Sequence, residues 1–329
     1  MDQANKNGNT ALIWACHNKM DNVALELLEC PEMCKIDQVD KDSDTALIWA
    51  CYNKMDNVAL ELLECPEMCK TDHVDRNGNT ALGWACKNRM EKVALELLEC
   101  PEMCKMDQVT NKYNNTALIW ACYNKMENVA LKLLKYPEMC KTDQVNQRGY
   151  TALIQACANR MEKAALELLN KCPELCKIDQ VDKDGNTALI QACANRMEKV
   201  ALELLNKCPE LCKIDQVDKD GNTALIQACA NRMEKVALEL LNKCPELCKI
   251  DQVDKDGNTA LIHAHNNKMN NVADIIVKYV DIAKPVELIT MHDNKLDRKF
   301  TTTPHKIFLA ECLIYLTLII LFLSILSIA

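Results

Sequence analysis

The sequence predicts an all-α solenoid of eight helix-turn-helix repeats followed by one C-terminal transmembrane helix. Three observations point there. The triplet Thr-Ala-Leu begins at Thr10, Thr45, Thr80, Thr116, Thr151, Thr187, Thr223 and Thr259, a period of 35 or 36 residues. Aromatic residues make up only 4% of the chain while Ala, Leu, Met and Cys abound, which suits cores of small helix-forming side chains better than β-sandwiches. Finally, residues 307–329 hold a single charged side chain, Glu311.

Each element of the repeat follows from its residues. In the copy beginning at Thr187, Leu189, Ala192 and Cys193 fall at i, i+3 and i+4, the apolar stripe of a short helix that Thr187 can N-cap. Asn195 is expected to end that helix in a left-handed conformation, as are Asn18, Asn53, Asn88, Asn124, Asn159, Asn231 and Asn267 in the other copies. A second helix follows, pairing Val200 with Leu204 and Ala201 with Leu205 and leaving Glu198, Lys199 and Glu203 polar, until Pro209 stops it. The segment Asp182-Lys183-Asp184-Gly185-Asn186 is a turn whose Gly supplies a positive φ. Neither helix is long enough to persist alone, so each pair must bury its stripe against the next.

These residues resemble the ankyrin repeat: Asp182-x-x-Gly185-x-Thr187-Ala188-Leu189, then Ala192-Cys193, Val200-Ala201 and Leu204-Leu205. The resemblance implies a turn-helix-helix unit and covers residues 1 to about 280. Thr-Ala-Leu-Ile replaces the family's Thr-Pro-Leu-His in most copies, Arg196-Met197 replaces its Gly-His, and the segment after helix two is longer. Residues 187–222 and 223–258 are identical at all 36 positions, and the array is also similar to the long, near-identical ankyrin arrays of large DNA viruses and protists. The chain therefore divides into an array over 1–280, a polar juxtamembrane linker over 281–306 and a membrane helix over 307–329.

At about 1.5 Å per residue the apolar tail spans about 34 Å, enough for a hydrocarbon core of about 30 Å. Lys295, Arg298, Lys299 and Lys306 precede it against Asp297 alone, so the positive-inside rule orients the array toward the cytosol. The first residues, Met1 to Lys6, have neither the basic start nor the apolar stretch of a secretory signal. The expectation is a single-pass membrane protein with its N-terminal array cytosolic, and in that compartment the 21 cysteines stay as thiols.

No catalytic apparatus emerges. Cys16, Cys51, Cys86, Cys122, Cys157, Cys193 and Cys229 occupy small core positions. The pair Cys172 and Cys176 has half of a zinc spacing, but Tyr136 replaces the first cysteine in copy four and no histidine recurs beside it. His263 and His265 occur in the last copy alone, two residues apart and hence on different helix faces, and read as variation of the terminal repeat. No Gly-rich phosphate loop or nucleophile motif appears, so neither an enzyme, a cofactor, a metal nor a small-molecule substrate is expected. The net charge of −8 is spread along the array and argues against nucleic acid.

One position changes along the array. It is Trp14, Trp49, Trp84 and Trp120 in the first four copies and Gln155, Gln191, Gln227 and His263 in the last four. His17, Tyr52 and Tyr123 follow three residues after their tryptophans. The resemblance places this face of the first helix in a concave binding groove, where Trp and Tyr would anchor a partner; the other reading is that the tryptophans pack between helices. The function these features imply is a membrane-tethered protein-interaction scaffold. The alternatives are the substrate-recognition arm of a ubiquitin-ligase-type complex and a soluble array whose C-terminal helix packs as a cap.

Overall fold

Each of the eight threonines closes the first turn of a helix in the computed structural model, which describes residues 3–280 apart from 32–33, 66–69, 102–103, 111, 173 and 175. The side chains of Thr10, Thr45, Thr80, Thr116, Thr151, Thr187, Thr223 and Thr259 accept from the backbone N–H three residues on, at 3.0 to 3.3 Å. This satisfies a donor that the helix itself leaves unpaired. The helix pairs are α1 (Ala11–His17) with α2 (Asp21–Leu28), α3 (Ala46–Asn53) with α4 (Asp56–Leu63), α5 (Ala81–Asn88) with α6 (Glu91–Leu97), and α7 (Ala117–Tyr123) with α8 (Glu127–Leu133). They continue as α9 (Ala152–Ala158) with α10 (Glu162–Lys171), α11 (Ala188–Ala194) with α12 (Glu198–Lys207), α13 (Ala224–Ala230) with α14 (Glu234–Lys243), and α15 (Ala260–Asn266) with α16, described over 270–280.

First helices stack on first helices and second on second, so the array is a helical solenoid, and its described residues form no named strand. Leu189, Ala192, Cys193, Val200, Ala201, Leu204 and Leu205 are all buried, as their spacing predicts. A methionine before the second helix, missed by that pattern, joins the core in repeats two to eight as Met55, Met90, Met126, Met161, Met197, Met233 and Met269, while Met20 in the first repeat is exposed. At the far end the stack runs out: Ile262 is 40% exposed where its counterpart Ile226, covered by the next repeat, is 1%.

The turns between repeats hold neighbours together. Gly185 has φ +83°, and a Cβ there would lie 2.7 Å from the Val217 carbonyl oxygen, so both conformation and space demand glycine. Backbone bonds run from turn to turn, from Lys183 N to Arg148 O at 3.0 Å and from Lys219 N to Asp184 O at 2.8 Å.

The end of the first helix corrects the sequence reading. Asn195 keeps φ −98°, and Asn18, Asn124, Asn159, Asn231 and Asn267 are similarly right-handed. The positive φ falls one residue later, on Lys19, Lys54, Arg89, Lys125, Arg160, Arg196, Arg232 and Lys268. The asparagine amide is used elsewhere. Asn88 Nδ2 donates to Cys51 O at 2.8 Å and Tyr52 O at 3.0 Å, clamping the end of the preceding repeat's first helix, and Asn53, Asn124 and Asn267 do likewise.

The longer segment after helix two forms 3-10 turns at Pro137–Met139, Pro209–Leu211 and Pro245–Leu247. The cysteine that closes this segment then turns its thiol back on the helix in the described copies. Cys104 Sγ donates to Leu97 O at 2.9 Å, Cys140 Sγ to Leu133 O at 3.0 Å and Cys176 Sγ to Leu168 O at 3.1 Å, pairing carbonyls that the helix terminus exposes. Among the described residues no group of three His, Cys, Asp or Glu side chains converges as a metal site would need, and no helix is long and apolar enough to cross a membrane. The linker over 281–306 and the tail over 307–329 lie outside the described residues.

Candidate protein-binding surface

The first helices of repeats one to four present an aromatic ladder. Stacking them in register brings the side chain three residues after one tryptophan against the tryptophan of the next repeat. His17 meets Trp49 edge-on with ring centroids 4.4 Å apart, Trp49 meets Tyr52 at 5.5 Å, and Tyr52 meets Trp84 at 4.7 Å. Such T-shaped contacts place positive ring edges against negative faces. Repeat three has Lys87 where its neighbours carry His or Tyr, and it continues the ladder as a cation. Its Nζ lies 4.0 Å from the Trp84 ring centroid, 5.7 Å from that of Trp120 and 5.9 Å from that of Tyr113. Burial pulls the Lys87 ammonium below the usual lysine range and Lys112 adds to this, while Tyr113 and Asp75 oppose it. Trp120 in turn meets Tyr123 at 5.8 Å and Tyr113 at 6.4 Å.

The predicted residues are therefore brought together unequally. His17, Tyr52 and Tyr123 are exposed, Trp49 and Trp120 are half-buried, and Trp84 is 8% exposed. Trp14, 52% exposed, makes no ring contact among the described residues. Lys87 and Tyr113 belong to the ladder and were missed. Lys87 breaks an aromatic pattern in sequence, and Tyr113 comes from the turn before α7, where an additional residue moves the period from 35 to 36.

A carboxylate nine residues upstream fixes the tryptophans of the second and third repeats. Trp49 Nε1 donates to Asp40 Oδ2 at 3.0 Å, and Trp84 Nε1 to Asp75 Oδ2 at 3.0 Å. The eighth repeat keeps the pairing with another ring, as His263 Nε2 lies 2.7 Å from Asp254 Oδ2. His263, at the position the sequence aligns with the tryptophans, thus takes their place in this pairing. The pairing fails in repeat four. Thr110 stands where the aspartate would, ten residues upstream because this turn holds one residue more, and the Trp120 indole N–H is buried with no hydrogen-bond partner among the described residues.

Beside it a pocket of about 360 Å³ opens between the fourth and fifth repeats, walled by Tyr113, Trp120, Tyr123, Arg148, Tyr150 and Lys183. In repeats five to seven the ladder position is Gln155, Gln191 and Gln227, followed three residues on by Ala158, Ala194 and Ala230, so no aromatic edge is offered there.

The core cysteines are chemically quiet. Burial pushes the Cys16, Cys122 and Cys229 thiols up to about 12, with Asp21, Glu127 and Cys248 adding repulsion in turn. A thiol held protonated is neither nucleophile nor metal ligand.

No curated protein matches the chain. The family model for ankyrin repeats in three copies matches residues 1–72, 61–143, 129–212 and 208–285. Successive matches thus cover the whole described array, with the helix pairs, turns and threonine caps described above, and the chain belongs to the ankyrin-repeat family, whose repeats serve as protein-interaction modules rather than catalysts.

Proposed function

We propose that this chain is a scaffold that grips a protein partner along the first-helix face of repeats one to four while residues 307–329 tether it to a membrane, with the array facing the cytosol. The aromatic and cationic ladder carries the binding half of the proposal. His17, Tyr52 and Tyr123 offer exposed ring edges already held by their neighbours. Rigid amphipathic rings lose little entropy on binding, and Trp and Tyr dominate interface hot spots. Repeats five to seven, with glutamine and alanine at these positions, act as a spacer toward the C-terminus.

The tether rests on the composition of 307–329 and on Lys295, Arg298, Lys299 and Lys306 before it. Full-length protein should resist alkaline carbonate extraction, and a chain ending at Lys306 should be released from membranes with its helicity retained. Full-length protein that is monomeric and soluble without detergent would refute the tether.

Binding is tested by comparing partners recovered by proximity labelling in cells. Tyr52→Ala with Tyr123→Ala should lose a partner that the wild type and a Gln191→Ala, Gln227→Ala control both retain. Equal recovery by all three would refute the assignment of this face.

A further inference from the structure

We propose that the pocket between the fourth and fifth repeats receives the side-chain carboxylate of an aspartate or glutamate from an extended segment of the protein partner. This rests on the protein-binding reading above and specifies what one part of that surface recognises.

The array itself shows what the site is built to hold. Wherever an indole or imidazole occupies the ladder position in repeats two, three and eight, an aspartate nine residues earlier accepts its N–H, as Asp40, Asp75 and Asp254 do. Two successive turns depart from that aspartate, one to Thr110 and the next to Asn146, and the pocket lies between them. Thr110 accepts from Asn115 N instead, and the Asn146 amide donates to Asn115 Oδ1 at 2.9 Å. Trp120 consequently keeps the donor of the other indoles without their acceptor, and its Nε1 is buried beside the pocket. A ligand oxygen that reaches this N–H as the pocket walls close on it satisfies a donor that the fold leaves unpaired.

The charge around the pocket has the complementary sign although the chain is acidic overall. Arg148 and Lys183 line it, none of its described lining residues is acidic, and neither cation makes an ion pair among the described residues. The two carboxylates that act on Tyr150 are already engaged: Asp182 accepts from Asn186 Nδ2 at 3.2 Å, and Asp184 pairs with Lys219 at 3.0 Å. Tyr113, Tyr123 and Tyr150 give the walls ring faces and hydroxyls, a surface suited to the aliphatic stem of a Glu or Asp and the peptide around it. A carboxylate fits the donor set because it accepts from an indole N–H and a guanidinium at once. The pocket is also continuous with the ladder through Trp120 and Tyr123, so one extended chain can run from the ring edges into it.

The test titrates the full chain in detergent micelles with pools of short acetylated, amidated peptides that share random flanks and differ in one central residue. The pools carry Asp or Glu, Asn or Gln, or phosphoserine; a further pool lacks a central acid and ends in a free carboxylate. The Asp/Glu pool should bind about tenfold more tightly than the Asn/Gln pool, and the difference should shrink as salt rises. Trp120→Phe, which keeps the ring and removes the N–H, and Arg148→Gln should each reduce that preference to about threefold or less with helical circular dichroism unchanged. Equal binding of the Asp/Glu and Asn/Gln pools, a preference that survives both substitutions, or the absence of binding by every pool overturns the proposal. Tighter binding of phosphoserine or of the free C-terminal carboxylate overturns it in favour of another anion. Loss of every pool's binding with Tyr52→Ala, together with no acidic preference, sinks the pocket while leaving the scaffold standing.

Discussion

Replacing Asp44 by asparagine should stabilise the array above neutral pH and have almost no effect near pH 4. Asp44 occupies the turn position that is Asn79 in the next repeat. There the asparagine amide donates to both Asp75 oxygens, at 3.1 and 2.9 Å. In the second repeat a carboxyl faces a carboxylate instead, with Asp40 also accepting from Trp49 and from the Asp44 backbone N–H. Burial, then repulsion from Asp40, Asp75 and Asp42, pushes the Asp44 carboxyl from 3.8 to about 7, with Arg76 opposing. The folded chain therefore holds a proton between about pH 4 and pH 7 that the unfolded chain has released, so stability falls as pH rises through that window and levels off above it. At about 1.36 kcal/mol per pH unit the upper bound is about 4 kcal/mol, and water reaching a surface turn screens this to about 1–2 kcal/mol. Urea unfolding followed by circular dichroism should show Asp44→Asn more stable than wild type by that amount at pH 8 and equal to it at pH 4. Asn79→Asp should produce the mirror image. A difference that does not change with pH, or an Asp44→Asn chain that is less stable at pH 8, would refute the carboxyl-pair argument.

Three further substitutions or probes test the assignments around this turn and helix. Trp84→Ala should cost about 3–5 kcal/mol, because it empties a buried site and removes a donor from Asp75, while Trp14→Ala, on an exposed side chain, should stay within about 0.5 kcal/mol; equal costs in thermal melts would contradict the split between packing and exposed rings. Lys54→Gly relieves a left-handed lysine at φ +61° and should raise stability by about 1 kcal/mol, or roughly 2–4 °C in Tm, whereas a destabilised variant would mean that the lysine side chain contributes more than its strained backbone costs. Cys30 and Cys100 are exposed and should be alkylated in native protein at pH 8, while Cys16, Cys122 and Cys229, pushed up to about 12, should react about a hundredfold more slowly until denaturant is added; uniform labelling by peptide mass mapping would remove the core assignment.

Much of the fold was legible because each repeat states its own local rules. Threonine caps, glycine turns and the Ala, Cys, Val and Leu stripes are local patterns, and repetition multiplied each signal. What escaped was cross-repeat chemistry. Asparagine tolerates a positive φ, so Asn88 looked like the helix terminator, but its amide is worth more bridging to Cys51 and Tyr52, and the strained backbone passes to Arg89. Met90 lies between two helices, where a stripe drawn on either helix alone omits it. The aromatic surface was legible in outline from Trp14, Trp49, Trp84 and Trp120, while their unequal burial was not, because it depends on what the following repeat sets against each ring. The nine-residue link from Asp75 to Trp84, repeated at Asp40 and Trp49, was the available signal, and the lack of an aspartate in the turn before Trp120 marked the pocket.

The exchange of tryptophan for glutamine reaches beyond the side chain itself. In repeats two to four the asparagine after the ladder position bridges to the previous repeat, through Asn53, Asn88 and Asn124. In repeats five to seven, Asn159, Asn195 and Asn231 instead donate within their own helix, each to the backbone carbonyl and the Oε1 of Gln155, Gln191 and Gln227. A tryptophan offers no acceptor oxygen, so the amide is left for the neighbouring repeat; a glutamine captures it. The same substitution therefore removes a ring from the surface and a polar strap from the repeat junction. Between repeats five, six and seven the bonds from Arg160 to Asn195 and from Arg196 to Asn231 remain, but only the aromatic half adds the amide-to-backbone bridge, and rings held in fixed register lose less freedom when a partner docks. His263 tests the logic inside the chain. It lacks an oxygen acceptor, pairs with Asp254 like a tryptophan, and Asn267 beside it again bridges to Cys229 and Ala230. Packing and recognition are thus served by the same residue at this position, because the ring that offers an edge to a partner is also what frees the asparagine to bind the repeats together.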